Sequence, residues 1–355
     1  MSYNLVQSPR FYVDDIAYMK SIGIFEMVLG DDVFDSNPSN IYSFTLHTSE
    51  QKFYKFKRYN IGDAGRPNYF ALLGHNLARQ KMGLRHAYYK SDDSWDGGHN
   101  NSGIVNGDGG IMDINSEGKS HATFLQPQYD GFSIVEMTNA SDDGNYLISG
   151  FNFEQDFHFE SPKTLKFGSL MYGRFYDMPH SPDLSLTLSY DYKGIKTIET
   201  TGGASLSNNF YSKSPSWGAL GAWELHNPDN GDPPNQNLSR SGRRIWDLSF
   251  SYLDDGDVFG ANQSLSFDTL TNETSDATFD SGDTTNGEFQ YNILTDNSFY
   301  SQVIHKTNGG QLPFIFQPDK NYPEFSIARF DMSTFACKQV ANGVYNIKVK
   351  IRESW

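Results

Sequence analysis

Three groups of residues have types and spacings that could do chemistry. The first is Asp92-Asp-Ser-Trp-Asp96-Gly97. Oxygen ligands on Asp92, Ser94 and Asp96, at alternate positions and followed by glycine, match the opening of a calcium loop. The bidentate glutamate that closes such a loop is missing, because Gly103 stands six residues after Gly97. The alternative is an Asx-rich turn, in which the same side chains bond their own backbone. The second group is aromatic. Trp95 lies in a Gly-rich stretch with Tyr88 and Tyr89 just before it, and His75 and Asn76 end an apolar run upstream. An aromatic ring with a polar handle suits a sugar face, so these five residues are candidates for one glycan contact at one end of the fold. Local packing of the Trp95 ring is the alternative. The third group is Arg240, Arg243 and Arg244, the one dense basic cluster in an acidic chain. It reads as a solvated strand entry, or as a contact with an acidic neighbouring subunit, since complementary charge fixes register in an assembly.

Catalytic motifs do not appear. Nine histidines occur with no H-E-x-x-H, and there is neither a G-x-S-x-G elbow nor a phosphate-binding G-x-x-x-x-G-K-[ST]. Asp142-Asp143 and Asp254-Asp255 sit among polar neighbours and read as solvated turns rather than acid–base pairs. A triad assembled from distant residues is set by geometry and carries no sequence motif. The single cysteine, Cys337, allows no disulfide within one chain and no cysteine-based zinc site. Thr334–Val340 reads as a strand, which makes Cys337 a small hydrophobe. The expectation is a protein that is not an enzyme, with calcium as its sole candidate cofactor.

The elements that must position these residues are strands. Tyr and Phe dominate an aromatic content of 15%, and glycine is plentiful at 32 residues, a balance that favours strands joined by turns. Ile41–His47 alternates, with Tyr42, Phe44 and Leu46 on one face; Lys52–Lys57 is strand-like; Asn68–Leu73 is a buried strand delivering His75 and Asn76 to a loop. Residues 91–120 and 227–242 read as loops, and 254–287 as an acidic, exposed excursion. Leu184, Leu186, Leu188 and Tyr190 share one strand face, and Trp246, Leu248, Phe250 and Tyr252 share another. A helix near 296–308, capped by Thr295 or Asn297 and ended by Gly309-Gly310, precedes four strands. Two prolines in Asp177–Asp183 place a boundary there, giving domains 1–180 and 181–355. The fold class expected is all-β.

Bulk properties narrow the partners. The formal net charge is -15, and an acidic surface repels phosphate, so specific nucleic-acid binding is not expected. No apolar run approaches the roughly 20 residues a spanning helix needs, so membrane insertion is not expected. Met1–Arg10 lacks the basic and apolar regions of a signal peptide, which implies synthesis in a cytoplasm.

Two stretches resemble known families. Asn68-Tyr-Phe-Ala-Leu-Leu-Gly-His-Asn-Leu77 and Gly168-Ser-Leu-Met-Tyr-Gly173 are similar to segments of discoidin-like (galactose-binding-like) modules in phage tail proteins. That resemblance spans about residues 10–180 and implies a jelly-roll β-sandwich. The C-terminal order is Gly309-Gly310, then Leu312–Phe316, Ile327-Ala-Arg329 and Gly343–Trp355. It resembles the minor and distal tail proteins of long-tailed bacteriophages. It implies a tail-tube-like sandwich or barrel with one flanking helix, in a ring of three or six copies. Partners implied are tube, hub, tape-measure and fibre proteins, with location at the virion tail tip after synthesis in the host cytoplasm. The chain departs from that pattern in its Ser354-Trp355 ending and its excursion at 254–287. An adhesin that binds a host surface glycan through the N-terminal module is the alternative function.

Overall fold

A computed structural model describes residues 6–47, 50–57, 67–89, 95–98, 100–105, 111–112, 126–138, 148–155, 162–192, 195–209, 214–232, 242–259 and 297–354. Strands dominate them, as composition implied, and every strand pair is antiparallel. One twelve-stranded sheet forms the backbone of the fold. From one edge it runs Thr187–Asp191, Arg243–Asp254, Val344–Glu353, Ser326–Phe330, Phe314–Gln317 and Arg10–Asp14. It continues through Ser169–Asp177, Tyr69–His75, Gly131–Thr138 and Asn100–Val105 to Ile111–Met112, and Cys337–Ala341 pairs with Val344–Glu353 off this path. A five-stranded sheet contains Gln51–Lys57, Ile148–Gln155 and Met82–Tyr89, flanked by Met27–Leu29 and Trp95–Gly98.

The central strands are apolar on both faces because both faces are covered. In Tyr69–His75, Phe70 and Leu72 join a core with Phe151 and Phe153 of the five-stranded sheet and Leu165 and Phe167 of the Lys163–Phe167 strand. Tyr69, Ala71 and Leu73 face the other way, toward Trp217 and Trp223. A third core joins Phe11, Trp246, Leu248, Phe314, Val349 and Ile351 with Phe299 and Val303 of the helical segment.

The sheet is continuous across residue 180. The Arg10–Asp14 strand bonds Ser169–Asp177 on one side and Phe314–Gln317 on the other, so the two expected domains share one sheet, and two of the three cores draw on both sides of residue 180, with Phe11 against Trp246 and Tyr69 against Trp217. Arg10 reinforces this seam. Its guanidinium grips Asp177 at 2.5 and 2.9 Å, pairs with Glu136, and lies over the Phe175 ring at 3.9 Å.

Two helical segments bear on the site chemistry. Asp14 ends its strand and caps a helix, Asp15–Ser21, by accepting from Ile16 N (3.0 Å) and Ala17 N (3.2 Å). No apolar stripe announces that helix, because its seven residues make barely two turns. The helix expected at 296–308 is present as a shorter π-helical turn, Tyr300–His305. Ser298, rather than Asn297, caps it, its hydroxyl accepting from Ser301 N at 3.2 Å, while Thr295 lies outside the described residues. Gly309 and Gly310 end it at φ 68° and 95°. A Cβ on Gly310 would stand 2.5 Å from that of Phe330.

Candidate functional site

The Tyr69–His75 strand ends at a cleft of about 490 Å3, bounded by His75, Asn76, Arg79, Asp130, Trp217 and His226. A register shift beside Gly131, opposite His75, frees the chain to turn here. Gly131 adopts φ 125°, and a Cβ there would lie 2.1 Å from the Glu224 carbonyl oxygen. Only glycine admits so close a backbone approach. Asp130 and His226 then exchange backbone hydrogen bonds of 2.9 and 3.0 Å, which fixes the cleft wall. Asp130 accepts from Arg79 N (3.0 Å) and Arg79 Nε (3.3 Å), while Arg79 Nη1 reaches Asp232 at 2.8 Å. Burial raises the Asp130 pKa, and Arg79 opposes that shift.

His75 and Asn76 thus come together at one cleft, as expected, but their polar atoms are engaged in the fold. Asn76 Oδ1 accepts from Lys166 N at 2.7 Å, and its Nδ2 donates to Thr164 O at 3.2 Å. These bonds stitch the Lys163–Phe167 strand to the end of the large sheet. His75 Nε2 lies 2.8 Å from Ser133 Oγ, the spacing of a base and its nucleophile. Burial lowers the His75 pKa to about 3, so the ring is neutral at pH 7. Ser133 is 1% exposed and His75 2%, which leaves the hydroxyl no approach for a substrate. The pair acts as packing with its polar atoms satisfied.

Tyr88, Tyr89 and Trp95 lie elsewhere. They belong to the five-stranded sheet, where Tyr89 is the backbone register partner of Trp95 and Tyr88 that of Gly97. The Met82–Tyr89 strand starts beside the Leu77–Gln80 turn and runs away from it for eight residues, about 25 Å at strand rise. One glycan contact at one end of the fold, uniting His75 and Asn76 with the three aromatics, is therefore not what the chain builds. Of the expected calcium ligands, Asp96 lies on the Trp95–Gly98 strand, and Asp92 and Ser94 fall outside the described residues. Among the described residues no group of three His, Cys, Asp or Glu could hold a metal ion.

The arginine cluster divides as well. Arg240 lies outside the described residues, while Arg243 and Arg244 open the Arg243–Asp254 strand. Arg244 turns inward to its own chain. Its Nη2 donates to Glu353 at 3.0 Å and to Phe325 O at 2.9 Å, its Nη1 to Glu324 at 2.5 Å, and its guanidinium lies 5.1 Å from the Trp246 ring centre. These carboxylates raise the Arg244 pKa against the burial that lowers it. Arg244 is thereby used within the fold, and a sequence scan misses this because Glu324 and Glu353 lie far along the chain. Cys337 is half-buried beside the third core, and burial pushes its thiol up to about 11, away from thiolate chemistry. Of the paired carboxylates, Asp142-Asp143 lies outside the described residues; Asp254 caps the turn Asp255–Val258.

The opposite edge of the sheet has another character. Beyond the edge strand Thr187–Asp191, a hairpin of Ile195–Glu199 and Ser205–Asn209 forms a two-stranded sheet of its own. Ile198 and Leu206 face each other across it, 64% and 60% exposed. Tyr190 and Tyr192, just before it in the chain, stack on each other and are also exposed. The sequence signal for this hairpin is alternating residues on either side of a Gly202-Gly203 turn.

No family model matches this chain, and no curated protein or solved structure matches it either.

Proposed function

We propose that this chain is a structural subunit of a symmetric assembly, of the kind that forms the tail tip of a long-tailed phage, rather than an enzyme. The observation that carries the reading is the exposed Ile198–Leu206 hairpin, which follows in the chain on a strand that, among the described residues, is the edge of the large sheet. A two-stranded hairpin standing alone is marginally stable in water. An edge strand offers unpaired N–H and C=O groups to another chain. A second copy that receives the arm satisfies both needs. Repeated head to tail, such a contact closes into a ring when its rotation allows, here of three or six copies. Tube, hub, tape-measure and fibre proteins are the neighbours this role entails, and the virion tail tip is its location.

The test is oligomeric state. Light scattering and negative-stain images of purified protein are expected to give rings. Ile198→Asp combined with Leu206→Asp is expected to give monomers with unchanged melting. A wild-type chain that stays monomeric at high concentration, and is absent from virions, sinks the reading.

The cleft favours a second role, host-glycan binding. It sets the exposed Lys166 and the Arg79–Asp130 pair in one pocket beside Trp217. Arg79→Ala is expected to abolish binding on a glycan array and leave the ring intact. Unchanged binding would return the cleft to a spacer.

A further inference from the structure

Lys306 follows the π-helical turn, and Asp15 opens the first helix. Their side chains meet between the cores, with Lys306 Nζ 2.9 Å from Asp15 Oδ1 and side-chain exposures of 1% and 3%. Neither Asp15 oxygen, nor the Lys306 nitrogen, has a well-aligned hydrogen bond. An ammonium has three N–H donors and a carboxylate about four acceptor sites. Burying both without aligned partners is among the costlier arrangements a fold can hold, since desolvation outweighs the attraction unless the remaining sites are met. The one other described cation that bears on Asp15 is Arg174, through its charge. A second unmet group stands nearby. The Tyr69 hydroxyl is fully buried without a hydrogen bond and feels the charges of Asp14 and Asp15.

We propose that Lys306 and Asp15 condense to an intramolecular isopeptide bond. The pair is a nucleophile and an acyl carbon held together in a dry site. Burial raises the Asp15 pKa, and the step begins when its carboxylate takes one proton from the ammonium, leaving a neutral amine and a carboxylic acid. The amine lone pair attacks Cγ of Asp15. The C–N bond forms, and one C–O bond breaks. The departing oxygen leaves as water with two protons, the one transferred first and one shed by the nitrogen. Charge and atoms balance with no oxidant or activated co-reactant. Holding the groups in contact replaces the entropy that a free amine and acid would lose on meeting, and the Tyr69 hydroxyl is available to hydrogen-bond the oxygen of the tetrahedral intermediate. The product amide carries one donor and one acceptor and no charge, which removes the buried ion pair. The bond ties the first strand to the last third of the chain across the seam of the sheet.

Denaturing intact-mass spectrometry tests this. The wild-type chain is expected about 18 Da, one water, below its sequence mass. A protease digest is expected to yield one branched peptide joining the Asp15 and Lys306 segments. Lys306→Arg and Asp15→Ala are expected at full sequence mass, and Tyr69→Phe as a mixture of bonded and unbonded chains. Full sequence mass in the wild type overturns the proposal whether or not the variants fold. A deficit that persists in Lys306→Arg also overturns it, because it would be dehydration of an aspartate elsewhere.

Discussion

Arg244 and Lys306 are both buried cations in one molecule, and the fold treats them oppositely. Arg244 meets two carboxylates, a carbonyl and a Trp face, so its planar fork is filled on every side. Among the described residues Lys306 meets one carboxylate, at poor alignment. A guanidinium offers five donors in a fixed plane, whereas an ammonium is a compact charge whose burial is repaid by close, numerous acceptors. The first site therefore behaves as a fastener whose parts depend on one another. The second behaves as a reactive contact, or as a charge pair the protein would be as stable without.

Arg244→Ala is the change expected to cost most, about 3–5 kcal/mol, because it leaves Glu353 and Glu324 facing each other without a cation. Urea midpoints measure it, and a loss below 1 kcal/mol would erase the contrast between the sites. Next comes the double variant Asp15→Leu with Lys306→Met, where the two readings differ in sign. An ionic pair exchanged for apolar side chains is neutral or stabilising by about 1–4 kcal/mol. A covalent bond closing most of the chain, once removed, lowers stability by about 4 kcal/mol.

Gly131→Ala, which drives a Cβ against the Glu224 carbonyl oxygen, is expected to cost about 2 kcal/mol and to disorder the cleft. Loss of cleft amide protection in hydrogen exchange, with that at Arg244 retained, is the corresponding readout. Ser298→Ala removes the hydroxyl that caps the segment carrying Lys306, for about 1 kcal/mol in thermal melts.

The smallest effect is in pH dependence. His75 has a folded pKa of about 3 against 6.5 unfolded, so the unfolded chain binds the proton first, and this group's contribution falls as pH drops from 6.5 toward 3. Asp14 is raised to about 6 from 3.8. The folded chain binds that proton first, so its contribution grows as pH drops through 6 toward 3.8, and the two groups oppose each other. His75→Asn removes one side of the balance. On acidification from pH 6 to 4 the variant is expected to gain on the wild type by roughly 1 kcal/mol per pH unit. Parallel stability curves for the two proteins would show that His75 does not titrate as burial implies.

Much of the strand pattern was legible. Tyr345, Ile347, Val349 and Ile351 do share an inward face, as do Trp246, Leu248 and Phe250. The pattern fails where the backbone changes register. Tyr252 is on the same alternation as Phe250, yet it stands 80% exposed at φ 63°. A bulge between Phe250 and Leu253 turns the strand and buries Leu253 in its place, and one extra residue reverses every later side chain. Leu184 fails for a related reason: its strand begins only at Thr187, so Leu184 is fully exposed while Leu188 packs. The candidate site was half legible. His75 and Asn76 do reach a cleft, but Arg79, Asp130 and His226 carry no motif, and their convergence depends on a glycine that only the packing explains.

By itself the sequence determined what is local: alternation, turn residues, the all-β class and the Gly309-Gly310 stop. Those follow from side-chain geometry over two to four residues. Tertiary structure decided which charges are buried and with whom. Asp15 and Lys306, or Arg244 and Glu353, interact through desolvation, whose cost depends on everything packed around them. That surrounding is assembled from strands at both ends of the chain, and no short window of sequence contains it.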